Sequence, residues 1–395
     1  NEMKGAFSSP DEVLEREIMD SLFPDTAYGC ESGGDPDVIP DLSYEEFLDF
    51  HRTYYHPSNS YIYLYGNMDM AEKLDFIDRR YLSAFEKLEV DSEIRIQKPF
   101  EKTRDLVMEY PVAENDSEKD NAYLAYSVVV GDAMDTLTGT AFEVLDYALL
   151  SAPGAPLKKA LLDAGIGSDI YGSYGDGIRQ PYFEIVAKGT EADKKEQFLS
   201  VIRDTLKDLV EKGIDKKSLE AGINYMEFRY READFSSFPK GLMYSLAFLG
   251  TWLYSDEKAF VSAQVLPVFE KLKSLTGKGY FEELVQKYLL DNPHSSVITL
   301  IPSRGLAARK EKALAQKLQE RLEGLSLEER EELVRKTKAL EEYQEAPEPE
   351  GAEKCIPMLK REDIKKEAAG FYNEPLDVDG SLFLYHQVPT NRIGY

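Results

Sequence analysis

Residues 42–69 carry a pattern of hydrophobic and polar positions that predicts a helix, a turn and a strand, in that order. Ser43 and Glu46 form a capping box, which satisfies two backbone N–H groups at a helix start. Pro57 ends the helix because proline cannot donate to the preceding turn. Residues 60–66 are rich in Tyr, Ile and Leu between turn residues, so they predict a short buried strand.

Hydrophobic periodicity predicts mixed strands and helices along the rest of the chain. Early helices are expected over residues 2–23, where Ser9 and Pro10 mark the start, and over 70–85. Residues 86–104 are charged, contain Pro99 and suggest a linker. Later strands are predicted at residues 106–112, 123–130, 169–174, 182–187 and 297–301. Later helices are predicted at residues 136–150, 156–164, 194–211, 216–231, 240–253 and 279–289. The elements do not alternate strictly, so the predicted fold class is α+β, not a doubly wound sheet.

An internal sequence repeat indicates two copies of one structural unit. Residues 44–48 (YEEFL) recur loosely as residues 281–285 (FEELV). Each copy is followed by a helix-ending proline, Pro57 or Pro293, and then by a short apolar strand starting near residue 60 or 296. The offset stays at 236 to 237 positions through helix and strand, which favours duplication over coincidence.

The C-terminal part has a different composition. Residues 306–344 are dominated by strong helix formers, and Ser326 with Glu329 forms a second capping box in their middle. This pattern predicts a helical hairpin. Residues 345–354 contain two prolines and a glycine and are expected to be a linker. Residues 355–395 start a further domain, with a strand predicted at 381–385, and that domain is expected to be cut short.

The charge restricts the partners. The net charge is −26, and the first fifty residues hold 14 Asp and Glu against 2 Lys and Arg. Like charges repel, so neither nucleic acid nor an anionic membrane is expected as a partner. The acidic surface has two alternative interpretations. It serves only to keep the protein soluble, or it is a negatively charged surface that attracts basic peptides. Cys30 and Cys355 are too few for a disulfide framework, which favours a reducing compartment.

Three motifs in one order carry a resemblance to a known family. Residues 1–5 (NEMKG), residues 32–36 (SGGDP) and residues 42–69 resemble the insulinase- or pitrilysin-like zinc metallopeptidases, peptidase family M16, and most closely the presequence-protease branch. The family's inverted zinc motif H-x-x-E-H is absent from this chain. The histidines present stand outside any such motif: His51, His56, His294 and His386.

The resemblance implies repeated insulinase-type domains, with mixed and largely antiparallel sheets packed by helices, plus a long helical hairpin. The implied domains are residues 1–95 (the end of a first insulinase-type domain), 104–303 (a second), 304–346 (the hairpin) and 354–395 (the start of a third).

Few residues here are candidates for chemistry. The resemblance implies that Glu2, in NEMKG, is the third protein ligand of a zinc ion, beside two histidines that lie upstream in the family. No catalytic residue is expected within this chain. From the residues alone, Glu2 could equally be a solvated glutamate. Tyr171 and Tyr174 lie on a predicted strand whose edge could hold a substrate backbone by strand addition.

The resulting hypothesis is an internal part of a presequence-protease-like zinc metalloendopeptidase that degrades unfolded, possibly basic, peptides. The resemblance implies that a zinc-activated water attacks the peptide bond in the intact protein. This chain alone is expected neither to hold zinc tightly nor to cleave peptides. Its other partners would be the missing N- and C-terminal parts of the same protein. The expected location is the bacterial cytoplasm or, alternatively, the mitochondrial matrix or another organelle. The competing hypothesis is a non-catalytic insulinase-like scaffold or peptide-binding module.

Overall fold

The computed structural model describes residues 3, 5, 7, 9–367 and 373–386. Its contacts divide the chain into two compact units, Asn1–Ala307 and Ala308–Tyr395. The finer division predicted at residues 95 and 104 stays a prediction. In the described parts of the chain, none of the helices combines the length and the apolar character that crossing a bilayer requires.

A five-stranded mixed sheet lies at the centre of the first unit. Its strands are β1 (Arg104–Val112), β2 (Ala122–Val129), β3 (Asp169–Gly175), β4 (Tyr182–Thr190) and β5 (Ser295–Arg304). Their order is β1-β5-β2-β4-β3, with β1 and β5 parallel and all other neighbours antiparallel. The α+β fold class and the five strands predicted between residues 106 and 301 are therefore confirmed.

The helices from residue 9 onward largely follow the predicted periodicity. In chain order they are α1 (Pro10–Leu22), α2 (Tyr44–Tyr54), α3 (Met70–Arg80), α4 (Thr136–Asp146), α5 (Pro156–Asp163), α6 (Lys195–Lys212), α7 (Lys216–Glu232), α8 (Lys240–Trp252), α9 (Leu266–Leu275), α10 (Tyr280–Leu284), α11 (Leu306–Gly324) and α12 (Leu327–Glu345). Wider, π-type turns continue α4 over Tyr147–Ser151 and α10 over Val285–Leu290. Helix α9 was not predicted.

Six of these helices, α4, α5, α6, α7, α9 and α10, pack on one face of the sheet. The core there is built around five fully buried phenylalanines: Phe142, Phe183, Phe198, Phe269 and Phe281. Each buried aromatic or aliphatic side chain contributes about 1.5–3 kcal/mol relative to an exposed one. This layer therefore supplies most of the hydrophobic stabilisation of the unit.

Helix α1 covers the other face. Ser9 caps it through a 3.5 Å bond from the Glu12 N–H, and Pro10 occupies its first turn, as predicted. Its apolar stripe is fully buried against Tyr123, Val186, Ile298 and others, so the sheet has hydrophobic cover on both faces. The Ser21 hydroxyl donates to the Ser296 hydroxyl at 2.8 Å and ties α1 to β5.

Residues 60–66 do not form the predicted strand. The segment is irregular and pairs with no strand in the described part of the chain. A strand depends on hydrogen bonds to a neighbour, which periodicity cannot supply. The prediction failed for that reason, although helix α2 before the segment has the predicted Ser43–Glu46 capping box.

The predicted linker at residues 86–104 is irregular but not free of the fold. Gln97 in its middle is only 2% exposed. Its N–H donates to the Gln180 Oε1 at 2.6 Å, and its side chain exchanges two bonds with Asp25. These contacts hold the segment against the sheet, because buried amides need their hydrogen bonds satisfied.

The second unit contains the helical hairpin and one small sheet. Helix α12 begins with the predicted capping box of Ser326 and Glu329. Strands β6 (Glu374–Val378) and β7 (Ser381–Tyr385) pair antiparallel through Asp379–Gly380, both with positive φ, as a tight hairpin turn requires. Strand β7 was predicted and β6 was not.

Candidate functional site

The two short motifs near the start of the chain lie against each other. Gly33 approaches Met3 so closely that a Cβ at position 33 would stand 2.4 Å from the Met3 Sδ. The Glu31 carboxylate fastens this loop to α1, accepting from the Arg16 Nε at 3.0 Å and the Gly33 N–H at 3.1 Å. Glu2, the predicted zinc ligand, precedes Met3 but lies outside the described residues.

The charge of Glu31 is stabilised in this position. The backbone N–H of Gly33 and then the Arg16 guanidinium lower the pKa of Glu31, although burial opposes them. The Arg16 guanidinium also lies 3.4 Å from the centroid of the Phe7 ring, a cation–π contact. Arg16 thus joins the first residues of the chain, α1 and the 32–36 loop.

A groove of 380 Å³ runs between α1 and the β3 edge of the sheet. Its lining includes four carboxylates, three from α1 and one from β4: Asp11, Glu12, Glu15 and Glu184. Lys188 pairs with Asp11 at 2.8 Å, so one cation stands beside four anions. The groove is therefore strongly acidic.

Tyr171 stands in this groove. Its hydroxyl donates to the Asp11 Oδ1 at 3.4 Å, and burial raises the pKa of Tyr171, so the phenol stays neutral. Beside it, the Ser173 hydroxyl donates to the Glu184 Oε1 at 2.9 Å. Burial raises the pKa of Glu184, the bond from Ser173 opposes that rise and Glu15 adds to it. A cationic group entering the groove would relieve this accumulated negative charge.

Tyr174 lies on the opposite face of the sheet. Its ring stacks on Phe142 with centroids 5.7 Å apart, on the side of the helical layer. Burial, followed by the charges of Asp176 and Glu143, raises the pKa of Tyr174. The structure therefore does not bring Tyr171 and Tyr174 together in one site.

Strand β3 itself ends the sheet and has β4 as its one neighbour among the described strands. Every second residue of an edge strand points its N–H and C=O away from the sheet, where an extended chain can pair with them. The groove is also lined by Ser173, Tyr182 and Glu184, which were not predicted as site residues. The sequence shows that these residues alternate along their strands, but it does not show that β3 pairs with β4.

The histidines and cysteines do not form a metal centre within the described residues. His51 and His56 lie in and just after α2, and His294 is 3% exposed, with its Nε2 2.9 Å from the Leu22 carbonyl oxygen. No group of three or more His, Cys, Asp or Glu side chains could hold a metal ion in the part of the chain that the structure describes. Cys30 and Cys355 are exposed free thiols.

Comparison with known proteins identifies the family. A family model described as the peptidase M16 inactive domain matches residues 41–226. A second model, for the region associated with peptidases of M16 subfamily C, matches residues 300–395. The chain belongs to the peptidase M16 family.

Several M16 relatives match along the whole chain. Protein HypA of Clostridium perfringens is 45% identical over 395 residues, which cover 100% of this chain and 40% of that protein. Presequence protease 1, chloroplastic/mitochondrial, of Arabidopsis thaliana is 36% identical over 406 residues, covering 100% and 37%. The mitochondrial presequence protease of Danio rerio is 30% identical over 404 residues, covering 100% and 38%. The chain thus spans about two fifths of the length of these M16 relatives.

Solved M16 structures share the fold. The peptidase M16 inactive domain from Pseudomonas fluorescens superposes with a TM-score of 0.56 at 17% identity, over 75% of this chain and 66% of that one. A protease from Helicobacter pylori gives a TM-score of 0.54 at 15% identity, over 75% and 68%. At such low identity the likeness concerns the fold alone.

Proposed function

We propose that this chain is part of a presequence-protease-like zinc metalloendopeptidase that degrades unfolded peptides. The observation that carries the proposal is the match of all 395 residues to proteins named presequence protease, at 36% and 30% identity. M16 peptidases generally depend on zinc. The described residues supply no zinc site, so the reaction would belong to residues outside them.

Glu2 is the one residue of this chain that we assign to the metal. A carboxylate beside two imidazoles is an established ligand set of hydrolytic zinc sites. In the full-length gene product, Glu2→Gln should reduce zinc content to well below one per chain and abolish most peptide cleavage. Glu12→Gln and Glu15→Gln on α1 are matched controls that should retain zinc. Retention of zinc by Glu2→Gln, together with its loss in either control, would assign the ligand elsewhere.

We infer that the acidic groove between α1 and β3 receives an extended peptide. The outer edge of β3 offers backbone hydrogen bonds, and Tyr171 offers an aromatic face. The Glu15 and Glu184 carboxylates favour a Lys or Arg side chain. Each charge-assisted contact contributes about 1.5–3 kcal/mol, or a roughly 10- to 100-fold change in affinity.

Binding of a fluorescent basic peptide to this chain tests the groove. Tyr171→Ala and Glu184→Gln should each weaken binding about tenfold or more, and added salt should weaken it further. Tyr174→Phe is the control, because that ring lies on the opposite face. Equal weakening by all three variants, or none by the first two, would remove the groove from the proposal.

A non-catalytic M16 scaffold is the second candidate. The observation in its favour is that the matching model describes an inactive M16 domain. Peptide cleavage by the full-length protein, inhibited by a chelator and restored by zinc, supports the peptidase. Peptide binding without turnover supports the scaffold.

Location stays a proposal as well. The relatives include a protein of a bacterium and proteases named mitochondrial or chloroplastic. We propose the cytoplasm of a bacterium, with an organellar matrix as the alternative, and fractionation of the native source would decide between them.

A further inference from the structure

A helical turn directly after Glu2 is held at both of its ends. The Phe7 N–H donates to the Met3 carbonyl oxygen at 2.9 Å, which closes the turn. At one end, the Met3 side chain packs closely against Gly33. At the other end, the Arg16 guanidinium lies 3.4 Å from the centroid of the Phe7 ring. Two separate contacts therefore fix the turn.

The Glu31 carboxylate connects these two contacts. Its Oε2 accepts from the Arg16 Nε at 3.0 Å, and its Oε1 accepts from the Gly33 N–H at 3.1 Å. One carboxylate thus holds both the side chain that covers Phe7 and the backbone that Met3 touches. Loss of Arg16 would remove one contact of the turn outright and weaken the support of the other.

Arg16 can act as an anchor because its own backbone is fixed. Leu14 and Ile18, two positions before and after it on α1, are each 1% exposed and pack on the sheet. The side chain of Arg16 is 15% exposed and that of Glu31 is 27% exposed. Salt screens a partly buried ion pair less than a pair at the surface. The contact between Arg16 and Glu31 is therefore expected to persist at physiological ionic strength.

The two contacts of Arg16 suit arginine better than lysine. A planar guanidinium can stack on an aromatic ring while its in-plane N–H groups donate to a carboxylate. Arg16 does both at once, with Phe7 and with Glu31. A lysine at this position would keep the ion pair but would have no plane to lay on the ring. Substitutions of Arg16 should therefore have graded effects.

We propose that Arg16 is a positioning residue for Glu2, because it holds the turn between Met3 and Phe7 through Phe7 and through Glu31. The inference rests on the proposed function, since it requires that Glu2 binds zinc. A metal ligand must be held to within about 0.5 Å of its productive position. Residues that orient a ligand without touching the metal typically contribute about 10- to 100-fold to metal affinity.

The zinc affinity of the full-length gene product, measured by competition with a chelator, tests this role. Arg16→Met should raise the zinc dissociation constant about 10- to 100-fold. Arg16→Lys keeps the ion pair and should raise it only about two- to fivefold. Arg52→Met is the matched control, because Arg52 on α2 also pairs with a carboxylate at 3.0 Å, and it should leave the affinity unchanged. Equal zinc affinity of Arg16→Met and the parent would overturn the proposal.

Hydrogen exchange in the metal-free protein gives a second readout that needs no zinc. The Phe7 amide should exchange about tenfold or more faster in Arg16→Met than in the parent, because the turn opens more often. Residues 295–304, inside the sheet, are the internal reference and should exchange alike in both proteins. An unchanged rate at Phe7 would overturn the proposal. Faster exchange throughout β5 in both Arg16→Met and Arg16→Lys would overturn it too, because Arg16 would then support the fold in general.

Glu2→Gln separates this inference from the proposed function. If Glu2→Gln retains zinc, the assignment of the ligand fails and the role of Arg16 fails with it. If Glu2→Gln loses zinc while Arg16→Met binds it like the parent, only the positioning role is refuted. Adding Arg16→Met to Glu2→Gln should weaken zinc binding no further, because Arg16 acts through Glu2. A fully additive loss would overturn the proposal.

Discussion

Glu143 on α4 offers a sharp test of the electrostatics of the core. Its Oε1 accepts from the Tyr230 hydroxyl at 3.2 Å, while its Oε2 is buried and has no hydrogen-bond partner among the described residues. Burial, followed by the charge of Asp176, raises the pKa of Glu143 to about 7, against the opposing effects of Tyr230 and Arg229. Glu143→Gln keeps the size of the side chain and the bond from Tyr230 and removes the titrating proton.

The direction of the effect follows from linkage. The carboxyl ionises near pH 4.5 in the unfolded chain and near pH 7 in the fold, so the folded state binds the proton more tightly. The stability gained from that proton is complete below pH 4.5 and is lost as the pH rises to about 7. This interval of about 2.5 pH units corresponds to ~3 kcal/mol at full burial.

Urea unfolding of both proteins between pH 5 and pH 8 measures the effect. The stability of Glu143→Gln minus that of the parent should rise with pH, by up to ~3 kcal/mol across that range. A buried amide N–H without an acceptor costs about 1–3 kcal/mol, but that cost is the same at every pH. Glu211→Gln, an exposed change on α6, should give a flat difference. A difference for Glu143→Gln that is equally flat would refute the reasoning.

Two further predictions concern a glycine and a linker. Gly172→Ala should lower the free energy of unfolding by at least ~2 kcal/mol, because the new Cβ would stand 2.2 Å from the Glu184 carbonyl oxygen. Gly177→Ala, whose new Cβ would have no atom of the described residues within 4 Å, should stay within ~0.5 kcal/mol in the same urea titration. Brief Glu-C digestion should cut first within residues 345–354, because the prolines and acidic residues there bury no backbone. Mass spectra that place the first cuts within residues 123–187 instead would contradict the domain boundaries.

Features that depend on residues close together in the chain could be predicted from the sequence. The two capping boxes, Ser43 with Glu46 and Ser326 with Glu329, formed as predicted because cap and partner lie three residues apart. The α-helical parts of α4 and α10 were predicted, but the π-type turns that follow them were not. An α-helical turn and a π-type turn place the same apolar residues towards the core, so the pattern does not distinguish them.

Contacts between segments that are far apart in the chain could not be predicted from the sequence. Residues 60–66 have the composition of a strand and failed to form one, because a strand needs a neighbour. The burial of Gln97 depends on Gln180 and Asp25, 83 and 72 positions away, and no local pattern announces such a contact. In the candidate site, by contrast, the placement of Tyr171 and Tyr174 on opposite faces could have been predicted. Three positions apart on a strand means opposite faces, so their separation followed from period two alone.

The bond between Ser21 and Ser296 has a consequence for how the protein is made. Helix α1 packs on a strand that follows it by 275 positions. At about 5–20 residues per second, a ribosome needs roughly 15–55 s to synthesise the intervening chain. During that time the apolar stripe of α1 lacks the cover that β5 provides, and this part of it stays accessible to chaperones and to other nascent chains. The rate of translation through residues 22–296 should therefore affect the yield of folded protein more strongly than the stability of the finished fold affects that yield.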